Sequence, residues 1–146
     1  MPEKETIRRA KEDAREGKSA STQAGEFVRE EIHHIRKGKH GASSSKQAIA
    51  IGLSKARRAG VKLKPPKSGS SSTRRKAAQD SQRAKKSQKP SRTRSRATTA
   101  ALKRKGKASA SRTALARQAH SSAKRRGKRA RVSAAKKAAR TRKSRS

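Results

Sequence analysis

Large apolar side chains are crowded into the first 64 residues of this chain, and no other feature limits its folding as strongly. Met1, Ile7, Phe27, Val28, Ile32, Ile35, Ile49, Ile51, Leu53, Val61 and Leu63 lie there, whereas the following 82 residues hold only Leu102, Leu115 and Val132. Burial of apolar surface is the dominant favourable term in folding. A hydrophobic core therefore has to be built from residues 1–64, and the remainder has almost nothing to bury.

Charge runs the other way. Eight of the nine acids fall in residues 1–31 beside seven Lys and Arg, so that piece is close to neutral. Residues 32–64 carry nine basic residues and no acid, and residues 65–146 carry 29 against the single Asp80. The whole chain has a formal charge of +36 over 146 residues. Low hydrophobicity with high net charge predicts a segment that cannot offset its ordering entropy, and self-repulsion opposes compaction until a polyanion neutralises it. There is no cysteine, which excludes disulfides and thiolate metal sites. No apolar run approaches the ~18 residues of a membrane span, and the charged stretch MPEKETIRRAKED, with no hydrophobic region, is not expected to act as a secretory signal. These features point to a cytoplasmic, nucleoid-associated location.

Three helices are expected in the first part. The first runs from about Glu3 to Glu16 and stops at Gly17; with Ile7 nearly its only large apolar residue, it is expected to fray alone. The second runs from about Thr22 to Lys37, stops at Gly38, and places Val28, Ile32 and Ile35 at i, i+4 and i+7, with Phe27 alongside as a core residue. Glu30 and Glu31 sit near its middle. The third lies in SSSKQAIAIGLSKARRAG. Ser44 and Gln47 have the spacing of a capping box, Ile49, Leu53 and Ala56 form the apolar stripe, Ala48 and Ile51 widen it, and Gly60 is the stop. Packed as a hairpin through these stripes, helices two and three make a small all-α head, 1–64.

The Pro-Pro-Lys-Ser-Gly run makes 65–73 a linker. Residues 74–146 are Lys and Arg spaced by Ala, Ser and Thr, and are expected to be a long, largely disordered tail. Nascent helix is expected at Thr98–Lys105, Ser111–His120 and Val132–Arg140, where alanine raises helix propensity and like-charge repulsion opposes it.

The segment STQAGEFVREEIHHIRKGKHGASSSKQAIAIGLSKARRAGVKLKPP resembles an uncharacterised family of small basic bacterial proteins, which implies little chemistry. The tail is similar in composition to the basic tails of linker histones and bacterial histone-like proteins, a resemblance that implies contact with the duplex backbone and DNA condensation.

Nucleic acid is the partner that such a charge selects. The densest candidate contacts are Arg74, Arg75, Lys76, Lys85, Lys86, Lys103, Arg104, Lys105, Lys124, Arg125, Arg126, Lys128, Arg129, Arg131, Lys136 and Lys137, with Lys46, Lys55, Arg57 and Arg58 as an accessory basic face on the third helix. They are expected to touch phosphates rather than base edges. Phe27 is the only aromatic residue, whereas single-strand binders and sequence-specific RNA readers stack bases on aromatics. That favours double-stranded DNA. His33, His34 and His40 raise the question of a metal, but adjacent helical histidines diverge by about 100°, and solvated or phosphate-facing imidazoles are the expectation. GKHGASSSK lacks phosphate-loop spacing, and no Ser/His/Asp pairing is credible. The expectation is a non-enzymatic, histone-like DNA-binding protein with no cofactor, no metal and no membrane role. RNA binding, as a ribosome-associated protein or chaperone, is the alternative; a second is an adaptor whose head binds a protein partner.

Overall fold

The computed structural model describes residues 1–86 and 89–145. Among them are α1 (Lys4–Arg15), α2 (Ala20–Arg36), α3 (Ser45–Arg58), α4 (Ser71–Lys85), α5 (Arg92–Lys103), a 3-10 turn (Ala108–Ala110) and α6 (Arg112–Arg145), with no strand. Serine starts four of these helices. The hydroxyls of Ser19, Ser44, Ser70 and Ser91 accept from the backbone N–H groups of Thr22, Gln47, Thr73 and Arg94 at 3.3, 3.1, 3.2 and 3.5 Å, satisfying donors that a helix start leaves open. The α3 box is displaced by one residue: Gln47 Oε1 accepts from the N–H and hydroxyl of Ser43, at 2.7 and 2.9 Å.

The C-terminus of α3 closes at Gly60, whose φ of 99° is left-handed. Val61 N–H reaches Ala56 O and Gly60 N–H reaches Arg57 O, each at 3.1 Å, the two bonds of a Schellman motif. The same pair closes α1 at Gly17 and α2 at Gly38.

Phe27 is buried with Ala10, Ala24 and Ala56, and Ile7, Leu53, Val61 and Leu63 pack around them. It is the core residue the sequence suggested. Helix α1 lies on α2, α2 on α3, and α3 on α4. The face that α3 turns inward coincides only in part with the apolar stripe expected of it: Ala48 and Ala56 belong to both. Ser45, Ala48, Gly52 and Ala56 are buried, while Ile49 and Leu53 are only partly covered. A Cβ on Gly52 would lie 2.7 Å from Val28 Cα and 3.0 Å from Val28 N. The two helices thus meet backbone to backbone, and small residues line the contact because larger ones do not fit.

The largely disordered tail expected for 74–146 is not what forms. That region carries most of α4, then α5, the 3-10 turn and α6. Alanine, lysine and arginine are all good helix formers, the serines supply caps, and two segments gain tertiary contacts. Helix α4 buries Ala77 and Asp80; Asp80 accepts from Ser54 Oγ at 2.6 Å and faces Arg58 Nε at 3.6 Å, both on α3. At the end of α5 and just past it, Leu102 O and Gly106 O accept from the N–H groups of Gly41 and Ala42 at 2.9 and 3.3 Å. Ala110 O accepts from Arg36 Nε at 2.9 Å, and Ser109 O from Ser45 Oγ. Residues 102–110 are therefore pinned to the elbow between α2 and α3.

Contacts divide the chain into two units. One runs from Met1 to Ser111, well past the Pro-Pro segment, and the other is α6. Helix α6 is interrupted at Gly127 (φ 77°, ψ 168°), which separates arms 112–126 and 128–145.

Candidate nucleic-acid interface and a buried charge cluster

The candidate tail contacts are exposed without exception. Arg74, Arg75, Lys76 and Lys85 lie on α4, and Lys86 caps its end; Lys103, Arg104 and Lys105 close α5 and begin the loop after it. Lys124, Arg125, Arg126, Lys128, Arg129, Arg131, Lys136 and Lys137 are all on α6. Helix α6 carries 14 Lys and Arg, no acid and no buried residue. Its second arm has a defined basic side. Lys128, Arg129, Lys136, Lys137 and Arg140 line one shallow groove with Val132 and Ser133, because spacings of i, i+1, i+4, i+5, i+8, i+9 and i+12 stay on one helical face. At 1.5 Å per residue these cations span about 18 Å. The sequence shows most of them as a density of charge; that they share a face follows only once the arm is a helix.

The accessory basic face on α3 is divided. Lys46 and Arg58 are exposed. Arg57 is turned inward, donating from Nε to Leu63 O and from Nη2 to Lys64 O, each at 3.3 Å. Burial pushes its guanidinium below the ordinary arginine range, partly offset by Asp80. Lys55 is also turned inward, its Nζ 2.7 Å from Glu31 Oε2.

Lys55 leads into a cluster that sequence reading missed. Glu31 is fully buried and Glu30 nearly so. Glu31 Oε1 lies 2.8 Å from His40 Nε2, and Glu30 Oε1 lies 3.9 Å from Lys55 Nζ and 4.0 Å from His34 Nε2. Glu30 Oε2 accepts the backbone N–H of Glu3 at 3.1 Å. His34 Nε2 meets Glu3 Oε1 at 2.9 Å, and Lys39 reaches the same oxygen at 3.2 Å. The His34 hydrogen bond, followed by that of Lys39, holds the Glu3 carboxyl down at about 2. His33 is exposed while its neighbour His34 is buried, as their angular offset requires. The local signal was the i, i+3 spacing of Glu31 and His34 just before a helix stop, which returns His40 over the same helix end.

Residues 15–68 match the model of a family of unknown function (DUF6496). That span holds α2, α3 and all the clustered residues except Glu3. No curated protein and no solved structure matches the chain. No helix among the described residues is long and apolar enough to cross a membrane.

Proposed function

We propose that this protein binds double-stranded DNA without sequence preference, neutralising phosphates along its basic helices and bridging or compacting duplex segments in the manner of a histone-like, nucleoid-associated protein. The observation that carries the reading is the basic side of the second α6 arm, where Lys128, Arg129, Lys136, Lys137 and Arg140 share one face with no carboxylate on the helix. B-DNA presents one negative charge per ~1.7 Å of axis, so an ~18 Å row of cations has more phosphates within reach than it can fill. Lysine and arginine on such a face contact phosphates and fix position, which gives affinity without base readout. The duplex is preferred over single strands because the one aromatic side chain, Phe27, is buried in the core and offers no stacking platform. The head holds its acids in internal pairs and supplies a folded support.

Full-length protein titrated into a labelled duplex, a structured RNA and a single strand across a salt series tests this. Duplex affinity should exceed the other two, with a steep negative slope of log K against log salt. Replacing Lys128, Arg129, Lys136, Lys137 and Arg140 with Gln should reduce the slope by about 4–5, at ~0.9 for each phosphate that is no longer neutralised. Preference for the RNA, or an unchanged slope in the five-site variant, would overturn the reading.

A further inference from the structure

We propose that Glu31, His34 and His40 form a binding site for a divalent transition-metal ion, Zn2+ foremost, at the elbow between α2 and α3. A carboxylate oxygen of Glu31 and one ring nitrogen from each histidine lie within 4.8 Å of one another. The two rings meet edge to face at 82°, with centroids 6.3 Å apart.

Proton placement gives the cluster its direction. His40 Nδ1 lies 3.0 Å from Gly41 O. A carbonyl oxygen can only accept, so Nδ1 carries a proton, and in a neutral ring Nε2 presents a lone pair. That lone pair belongs to the nitrogen 2.8 Å from Glu31 Oε1, which is itself buried and accepts no hydrogen bond. A buried carboxylate oxygen this close to Nε2 calls for a positive species at the nitrogen, either a second ring proton or a metal ion in its place. His34 holds a carboxylate, Glu3, through Nε2. With that proton on Nε2, Nδ1 is the nitrogen with a lone pair to give. Metal-binding histidines almost always donate their other N–H to a carboxylate or a backbone carbonyl, and both supports are present here. Glu30 Oε1 is a second buried carboxylate oxygen with no hydrogen bond.

Charge and donor type select the ion. The surrounding carboxylates are Glu3, Glu30 and Glu31, and the cations facing them are Lys39 and Lys55. With neutral imidazoles the cluster is one negative charge in excess. Lys55 occupies Glu31 Oε2 and leaves Oε1 as the donor. Imidazole suits Zn2+ among the available divalent ions, while an all-oxygen set would suit Mg2+ or Ca2+. Three protein ligands plus water is an ordinary zinc arrangement, and donors ~2.1 Å from one ion are about 3.4 Å apart at tetrahedral angles. Small side-chain rotations therefore close the set. The ion would tie the end of α2 to the lead-in of α3, where Gly41 and Ala42 also hold residues 102–106.

The test uses the full-length chain, stripped with chelator and titrated with Co2+, then Zn2+. One equivalent of Co2+ should give visible ligand-field bands that Zn2+ displaces, and saturating Zn2+ should raise Tm by about 5 °C or more. His40→Gln and His34→Gln should each weaken binding by more than about 100-fold, beyond the loss of even a supporting partner. His33→Gln and His120→Gln should leave it unchanged. His40 sits at the turn, so His40→Gln carries the test if His34→Gln fails to fold. No bands and no Tm shift in the parent protein overturn the proposal, as does undiminished binding in a folded His40→Gln protein.

Discussion

Gly52→Ala is expected to destabilise the first unit, although the same change in an open helix stabilises. Gly52 lies inside α3, and alanine there gains ~0.8–1.0 kcal/mol of helix propensity. The new Cβ would stand 2.7 Å from Val28 Cα, 2.9 Å from Val28 Cγ2 and 3.0 Å from Val28 N. The side-chain methyl could rotate away; the backbone atoms belong to α2 and cannot move without shifting the helix. Overpacking costs about 1–3 kcal/mol, and a contact made with backbone takes the upper part of that range. The net loss is then about 1–2 kcal/mol, or roughly 4–12 °C in Tm for a unit of this size. Gly25 is the internal control. It is exposed on α2, and a Cβ there meets nothing within 4 Å, so Gly25→Ala should raise Tm. Thermal melts of the parent and both variants by circular dichroism decide the matter. A Gly52→Ala protein as stable as Gly25→Ala would refute the backbone-to-backbone account of the α2–α3 contact.

Removing Lys55 should be far more costly than removing an exposed lysine. Lys55→Met leaves Glu31 buried with only His40 at hand, and breaking a buried pair from one side costs about 3–5 kcal/mol; urea titration should find a loss near the low end of that range, and a negligible loss would mean Glu31 is not held by charge. Asp80→Ala should release α4 from α3 by deleting the acceptor of Ser54 and the partner of Arg58, seen as lost amide-exchange protection across Ser71–Lys85 while α2 stays protected. Raising salt from about 0.01 to 0.15 M should increase Tm in the absence of nucleic acid, because the screening length falls from ~30 to ~8 Å and the self-repulsion of +36 charges weakens; a falling Tm would show that internal ion pairs outweigh that repulsion.

Features set by neighbours in the chain are legible in the sequence. Ser44 and Gly60 bound α3 because a cap and a left-handed stop act over three or four residues. Phe27 reads as core because it is the one aromatic beside an aliphatic periodicity. The α3 interface is half legible: periodicity finds Ala48 and Ala56 but ranks residues by size, while a close crossing ranks them by smallness, so Gly52 goes unread and Ile49 stands out in its place. Glu31 looks like solvated charge because its partner Lys55 is 24 residues away. Repulsion alone points the tail toward disorder. The caps at Ser70 and Ser91 are lost among the many serines of that region, and Asp80 stands out only as an isolated acid among 29 cations until Ser54 and Arg58 are seen to receive it.

That isolated acid belongs to a wider division of labour. Each of the nine carboxylates has a Lys, Arg or His nitrogen within 4.0 Å, and the Lys and Arg in these pairs are Arg8, Arg9, Lys18, Lys39, Lys55 and Arg58. Three of these acids join elements: Asp80 docks α4, Glu31 anchors Lys55, and Glu3 ties the start of α1 to His34, while Glu5, Glu12 and Glu16 sit in exposed pairs. No acid is placed along α5 or α6. Exposed surface ion pairs contribute at most about 1 kcal/mol each, so pairing the remaining cations internally would have added little stability while consuming the charge that faces outward. The fold pairs its few carboxylates within the chain and leaves its helical arms uniformly cationic, which is the surface that the proposed phosphate binding requires.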